Sequence, residues 1–271
     1  MRKDVPMLRC LCAATLAAIS LGDKVAAHEL WIDPASYRVA PGGTAAAQLR
    51  VGTEFRGVPQ AYIPRRTVRI DVVSGGVPLP VDARIGDMPA FSIDEMPEGL
   101  AILVYETTAF DLTWGTWEQF VRFVDQKDLG DAAAMQAARG LDRIDVQEHY
   151  LRFAKSLIAV GNGTGADRVM GMRTELVALA NPYTDDLSAG MPVQLWLDGV
   201  VRADAQIELF REAPDGAIDI TLHRTDADGI AILPVESGHQ YLVDSVAIEP
   251  MDPAAGAEWR TLWASLTFEV P

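Results

Sequence analysis

Short apolar runs separated by turn-forming residues fill the C-terminal part of the chain, and they restrict its fold more than any other feature. Seven such runs lie between residues 172 and 271. Each has the length of a strand, and the Asp-Gly and Pro-Asp-Gly sequences between them favour tight turns. Seven strands at this spacing predict an immunoglobulin-like or transthyretin-like β-sandwich. The runs are MRTELVAL, PVQLWLDG, AQIELFRE, AIDITLHRT, GIAILPV, QYLVDSVAIE and RTLWASLTFEV.

The region from His28 to about Phe110 has the same character. Its runs HELWID, TAAAQLRVG, TVRIDVVSG and LAILVYET are rich in β-branched and aromatic residues, with glycine and proline between them. In TVRIDVV, apolar and charged residues alternate, which indicates a half-buried strand. The sequence therefore predicts a mainly β protein with two β-sandwich domains.

The segment from Thr113 to about Val160 differs and predicts a short helical insertion between the two β regions. In TWEQFVRFVDQKDLGDAAAMQAARG, apolar residues recur at helical spacing, Thr116 is a candidate N-cap and Gly140 ends the alanine-rich part. The following run, DVQEHYLRFAKSLIAVG, has Tyr150, Phe153 and Leu157 at helical spacing. We therefore predict one helix in each of these two stretches.

Glycine-rich sequence separates the two β regions. The stretch GNGTGADRVMG at residues 161–171 has the composition of a loop or linker. The predicted organisation is a signal peptide at 1–27, an N-terminal β domain at 28–165 whose helical segment lies at about 113–160, and a C-terminal β-sandwich at 166–271.

The first 27 residues have the three parts of a secretory signal peptide. Arg2, Lys3 and Arg9 form a basic start, an apolar run follows at residues 10–22, and Val25 and Ala27 suit a signal peptidase. The apolar run is shorter than the roughly 20 residues that a membrane-spanning helix needs, although an uncleaved anchor helix is the alternative. We predict cleavage after Ala27 and a periplasmic location, with no membrane span in the remaining chain.

Composition then excludes several function classes. Both cysteines, Cys10 and Cys12, lie in the predicted signal peptide, so the cleaved chain has no disulfide, thiolate metal site or cysteine nucleophile. The formal net charge of the whole chain is −15. Such an acidic protein is a poor match for nucleic acid or for an anionic membrane.

Cleavage after Ala27 would place His28 at the N-terminus. The α-amine and the ring Nδ1 of one histidine can chelate a metal ion, and a second histidine can complete the site. The candidates for that second ligand are His149, His223 and His239, with His149 and His239 the preferred ones. Nitrogen ligands of this kind suit nickel, cobalt or copper. The alternative is that each of the four histidines is structural or solvated.

Motifs typical of enzymes are missing from the sequence. It has no Gly-x-Ser-x-Gly, no His-Glu-x-x-His and no phosphate-binding loop that ends in Lys-Ser or Lys-Thr. The sequence TDADG at 225–229 superficially matches the start of a calcium loop, but Ser237 stands where an EF-hand needs glutamate. We therefore predict a β-turn at TDADG and a protein that is not an enzyme.

Five patches along the chain resemble a known family of exported bacterial proteins, domain of unknown function 4198. That family is similar to the periplasmic-side (NikM-like) component of nickel and cobalt uptake systems. The patches are AHELWIDP, LRVGTEFRG, EHYLRFAKSLIAVG, TELVALANPY with the following LSAGMPVQLWLDG, and TDADGIAILPV with WRTLWASLTFEV.

This resemblance implies β-sandwich modules and a role with a divalent metal. His28 matches the histidine that follows the signal in the family, and Tyr150, Arg152 and Lys155 match its Tyr-x-Arg-Tyr/Phe-x-Lys motif. The absence of apolar runs long enough to cross a membrane after the signal departs from an integral transporter.

The sequence thus predicts a soluble periplasmic binding protein for Ni, Co or Cu, with His28, His149 and His239 as metal ligands. Its expected partners are the metal ion and an envelope transporter or receptor. Two alternatives stay open: an interaction or scaffold module without a metal, and a copper-dependent oxidative enzyme built on His28.

Overall fold

The protein is mainly β, as the sequence predicts. The computed structural model describes residues 28–271, so the predicted signal peptide at 1–27 lies outside the described residues. The strands are β1 Glu29–Pro34, β2 Arg38–Val39, β3 Ala45–Thr53, β4 Arg56–Gln60, β5 Thr67–Ser74, β6 Val77–Leu79, β7 Phe91–Ile93, β8 Gly99–Thr107, β9 Phe110–Thr113, β10 Gln147–Val160, β11 Thr174–Ala178, β12 Met191–Leu197, β13 Val200–Val201, β14 Gln206–Glu212, β15 Ile218–Arg224, β16 Ile230–Leu233, β17 His239–Pro250 and β18 Trp259–Val270. The helices are α1 Trp117–Gln126 and α2 Ala132–Ala138.

A ten-stranded sheet forms the centre of the molecule. Its strands follow the order β15-β14-β17-β18-β10-β8-β5-β6, and the short strands β2 and β9 also pair with β10. Most neighbours are antiparallel, but β10 and β18 run parallel in the middle. The sheet therefore joins strands from both predicted domains.

Two smaller sheets cover opposite faces of the central sheet. One contains β1, β3, β4 and β7, and the other contains β11, β12, β13 and β16. Along β8, Ile102 and Val104 belong to the core beneath the second sheet, whereas Leu103 and Tyr105 belong to the core beneath the first. This is the alternation of a strand that is buried on both faces.

The helical insertion is present and covers part of the same face as β1. Thr116 caps α1 as predicted: its hydroxyl accepts from the Gln119 amide, and the Gln119 side chain accepts from the Thr116 amide. The helices pack aromatic side chains of α1 onto the tryptophans of β18, with Phe123 and Trp263 stacked at 5.7 Å between ring centroids. The two helices both fall within the first predicted stretch, on either side of a turn at residues 127–131.

The second predicted helix is wrong, because residues 147–160 form the 14-residue strand β10. Both faces of β10 are buried over most of its length, so apolar residues occupy nearly every position. A run of this kind contains helical spacing and strand spacing at once, and periodicity does not separate them. The predicted helical segment therefore ends at Ala138 in the structure.

All seven runs of the C-terminal region are strands, and TDADG is a turn in which Asp226 Oδ1 accepts from the amides of Asp228 and Ile230. The predicted boundary at residues 165/166 falls in the loop between β10 and β11. Within residues 28–271, no helix is long and apolar enough to cross a membrane.

Candidate functional site

The first strand brings His28 and Glu29 onto one face of the central sheet. β1 lies across β18, where Ser265 Oγ donates to the Leu30 carbonyl and Thr267 Oγ1 donates to the Ile32 carbonyl, both at 2.7 Å. These hydroxyls satisfy backbone acceptors on the outer edge of β1. The start of β1 is thereby held over neighbouring strands of the sheet.

Two carboxylates project from the sheet toward this point. Glu208 of β14 and Asp244 of β17 are direct cross-strand partners, so their side chains share a face. Both are buried, with 6% and 1% of their surface exposed. Two like charges in this arrangement destabilise a sheet unless a cation lies between them.

Lys127, the residue that follows α1, supplies that cation. Its Nζ donates to Glu208 Oε2 at 2.8 Å and to Glu29 Oε1 at 3.0 Å, and it lies 3.5 Å from Asp244 Oδ2. The ammonium also lies 5.0 Å from the centre of the Trp263 ring. One buried lysine therefore joins β1, α1, β14 and β17.

Arg152 of β10 completes the group, which we call the N-terminal cluster: His28, Glu29, Lys127, Arg152, Glu208 and Asp244. Arg152 Nη2 donates to the His28 carbonyl at 2.8 Å, and its guanidinium carbon lies 4.6 Å from the centre of the Tyr150 ring. Only 7% of the Arg152 surface is exposed. The arginine fixes the backbone of His28 against the sheet.

Unsatisfied polar atoms concentrate in the N-terminal cluster. Among the described residues, seven buried side-chain nitrogen or oxygen atoms lack a hydrogen-bond partner, and five of them belong to this cluster: His28 Nδ1, Glu29 Oε2, Arg152 Nε, Asp244 Oδ1 and Asp244 Oδ2. Buried polar atoms of native proteins are nearly always bonded to protein, water or an ion. Three of the five are carboxyl oxygens, which suits a bound cation.

Electrostatics set the protonation of the cluster. Burial alone would lower the pKa of the Lys127 ammonium, but the carboxylates of Asp244, Glu29 and Glu208 raise it above its ordinary value, so Lys127 stays charged. Burial raises the pKa of the Asp244 carboxyl well above its ordinary value, and Lys127 offsets this shift only in part. Burial therefore favours the protonated form of Asp244, and the Lys127 ammonium opposes it.

A second buried lysine, Lys155, forms a comparable group with two carboxylates in which the polar atoms are hydrogen-bonded. On the other face of the sheet, Lys155 Nζ lies 2.9 Å from Asp167 Oδ1 and 3.1 Å from Glu175 Oε1. The carboxylates also accept backbone amides, those of Ala178 and Arg168 on Asp167 and those of residues 170–172 on Glu175. These bonds hold the loop between β10 and β11, and they assign the Lys155 cluster a structural role.

The structure places His149, His223 and His239 on the face of the central sheet opposite to the N-terminal cluster. Side chains alternate along a strand, and each histidine is an odd number of residues from a position on the cluster face. His149 is three residues from Arg152, and His239 is five from Asp244. His223 adjoins Leu222, the cross-strand partner of Glu208.

Each of these histidines has its own partners. His149 Nε2 lies 3.0 Å from Asp111 Oδ1, His223 Nε2 lies 2.8 Å from Thr221 Oγ1, and the ring of His239 bonds the Ser237 carbonyl at 2.9 Å. Of the predicted ligands, His28 therefore lies in the cluster, whereas His149 and His239 are not brought to it. A site that joins His28 to a second histidine is not assembled in this fold.

Sequence reasoning missed the carboxylates and Lys127. The available signal was a charged residue inside an otherwise apolar run, Asp244 in YLVDSVA and Glu208 in QIELF. A charge at such a position is rare unless it is paired. Their pairing depends on strand register, which the sequence does not state.

The residues of the cluster fit a cation. One oxygen from each of Glu29, Glu208 and Asp244 lies within 4.8 Å of the others, close enough for one ion to share them. His28 is not part of this group of three, so an ion bound to its nitrogens would combine them with a single carboxylate rather than with all three. The Lys127 ammonium already provides one positive charge at this point, so an ion must bind beside it or displace it.

Another buried carboxyl, Glu148 of β10, lies under the helices. Trp114 Nε1 donates to its Oε2 at 2.8 Å, and the Thr261 hydroxyl donates to its Oε1. Burial raises the pKa of Glu148 to about 7, because these two hydrogen bonds and the charge of Arg152 offset only part of the desolvation. Glu148 therefore exchanges its proton near neutral pH.

The family model described as "Domain of unknown function (DUF4198)" matches residues 25–249. No curated protein matches the chain. A solved structure titled "Crystal structure of tetra-tandem repeat in extending region of large adhesion protein" is similar over 90% of this chain at 12% identity, with a TM-score of 0.21. The aligned region spans 50% of that structure.

Replacing the buried ammonium tests the electrostatic account of the cluster. We expect Lys127→Met to lower the free energy of unfolding by about 3–5 kcal/mol, because it leaves buried carboxylates without their cation. Asp244→Asn is the matched variant, and we expect a much smaller loss because the amide keeps the size of the side chain and burial already disfavours the charged form of Asp244. Urea unfolding at pH 7 measures both values, and equal losses would contradict the role of Lys127 as the cation that the carboxyls share.

Glu148 gives a pH dependence of known sign. Its carboxyl titrates near 4.5 when unfolded and at about 7 when folded, so the folded state holds a proton that the unfolded state releases. The contribution of Glu148 to the free energy of unfolding is fully present below pH 4.5. It decreases as the pH rises to 7, by about 3 kcal/mol in total. We expect Glu148→Gln to remove this loss, measured by urea unfolding at several pH values between 4.5 and 8. The other carboxyls are the same in the unmodified chain and in Glu148→Gln, so a stability difference between the two proteins that does not change with pH would contradict the assignment.

Proposed function

The chain belongs to the DUF4198 family, and we propose that it is an exported protein that binds a divalent transition metal at the N-terminal cluster. One observation carries the proposal. The buried Nδ1 of His28 has no hydrogen-bond partner, and three of the six carboxylate oxygens of the same cluster, Glu29 Oε2 and both oxygens of Asp244, also lack one. A metal ion is the ligand that such a mixture of nitrogen and oxygen acceptors suits.

Removal of residues 1–27 would create the second nitrogen ligand. Once His28 is the first residue, its backbone nitrogen becomes an amine, and the amine and Nδ1 of one histidine form a chelate. A carboxylate from Glu29, Glu208 or Asp244 would take the place that we first assigned to His149 or His239. Nickel, cobalt and copper are the candidate ions for this ligand set.

We propose binding rather than catalysis because the carboxylates are buried beneath β1. Glu29, Glu208 and Asp244 are each 6% exposed or less, so a substrate larger than an ion or a water molecule has no access to them without movement of β1. A bound ion would then be passed to an envelope transporter or receptor. If the chain binds none of these metals, the alternative is an interaction module without a metal.

Metal titration by calorimetry tests the proposal. For a chain that begins at His28, we expect binding of Ni²⁺, Co²⁺ or Cu²⁺ that weakens at least about tenfold in His28→Ala. Retaining residues 24–27 should weaken it similarly, because the backbone nitrogen of His28 is then an amide. Binding should also weaken as the pH falls, because protons compete with the metal for amine and imidazole nitrogens.

His149→Ala is the control, since His149 lies on the opposite face and should leave the affinity unchanged. Equal affinity in the His28→Ala, extended and unmodified chains would refute the site. Loss of binding in His149→Ala alone would move the site to the other face.

A further inference from the structure

The outer strand of the central sheet, β15, presents a long open edge. β15 spans seven residues, Ile218–Arg224, and pairs with β14 without a register shift. Among the described residues, β14 is its one strand partner, so the backbone N–H and C=O groups on its other side form no hydrogen bonds with a neighbouring strand. An edge of this kind is a template for another strand.

Several other edges of the three sheets are protected. Pro78 interrupts β6 and Pro59 interrupts β4, which removes a backbone donor from each. The outer carbonyls of β1 accept the hydroxyls of β18, and Asp167 Oδ2 accepts from the amide of Ala178 at the end of β11. Strand β15 has neither form of protection: it contains no proline, and no side chain of residues 28–271 hydrogen-bonds to the backbone groups of its open edge.

The two faces of β15 differ in character. Ile220 and Leu222 lie on one face and are 43% and 61% exposed. Asp219, Thr221 and His223 lie on the other face by alternation. Exposed aliphatic residues on an open edge favour pairing with a second strand that covers them.

We propose that β15 pairs with β15 of a second copy of this chain, antiparallel about a twofold axis at Thr221. This is the antiparallel register that overlaps all seven residues. It places Ile220 opposite Leu222 of the second copy on one face, and Asp219 opposite His223 of the second copy on the other. Each dimer therefore contains two apolar pairs of Ile220 with Leu222 and two pairs of an Asp219 carboxylate with a His223 imidazole.

The proposed contact is isologous, because the same strand serves both copies, and it closes without leaving a free edge of β15. It continues the ten-stranded sheet across the dimer. This inference is independent of the proposed metal site, since β15 contributes no residue to the N-terminal cluster.

Cysteine cross-linking tests the register. Cys10 and Cys12 are the only cysteines of the sequence, so a chain that starts at His28, or one with both replaced by serine, has none. Residues directly opposite in an antiparallel pair have Cα atoms about 4.5–5.5 Å apart, which a disulfide can span. We therefore expect Thr221→Cys to form a covalent dimer under mild oxidation.

Cysteines two residues away provide matched controls. Asp219→Cys alone should not cross-link, because its own copies would lie about 14 Å apart along the strands. A mixture of Asp219→Cys and His223→Cys should form a covalent heterodimer. Circular dichroism checks that each variant is folded before oxidation.

Sedimentation equilibrium supplies a second measurement. We expect the unmodified chain to dimerise, and we expect Leu222→Lys to weaken the dimer at least about tenfold. Val58→Lys, at a residue that is 63% exposed on β4, should not change it. A monomer at every concentration, or cross-linking of Thr221→Cys no faster than that of Asp219→Cys, would overturn the proposal.

Discussion

The central sheet is covered on both faces, and the burial of both faces is the constraint on which the rest of the structure depends. A strand buried on both sides cannot send a polar residue to solvent, so each polar side chain must find a partner on its own face. Lys155 does so with Asp167 and Glu175 beneath one small sheet. Lys127 does so with carboxylates beneath β1 on the other. The same alternation separates His28 from the three other histidines.

The N-terminal cluster meets this constraint only in part. Its lysine neutralises the carboxylates, and Arg152 holds the His28 carbonyl, but acceptors on His28, Glu29 and Asp244 have no partner. A cluster that served stability alone would gain from bonding these atoms, as the Lys155 cluster does. We infer that the unbonded acceptors are kept for a ligand, and the Arg152 bond to the His28 carbonyl holds the start of a chain cleaved after Ala27 against the same face of the sheet.

Much of the fold follows from local sequence, whereas the site does not. Apolar runs bounded by glycine, proline and aspartate predict eleven of the strands, and Thr116 with the spacing after it predicts α1. The prediction fails at β10, because burial on both faces removes the polar positions that mark a strand. His28 was found from the pattern around the predicted cleavage site. Glu208, Asp244 and Lys127 were not, because their contact arises from strand register and from the packing of α1.

The most direct measurement of the central claim is a crystal structure of the chain that begins at His28, grown with Ni²⁺ or Cu²⁺ and recorded at the absorption edge of the metal. The account predicts an anomalous peak bonded to the amine and Nδ1 of His28 and to an oxygen of Glu29, Glu208 or Asp244. A peak on His149, His223 or His239, or no ordered metal at the N-terminal cluster, would contradict it.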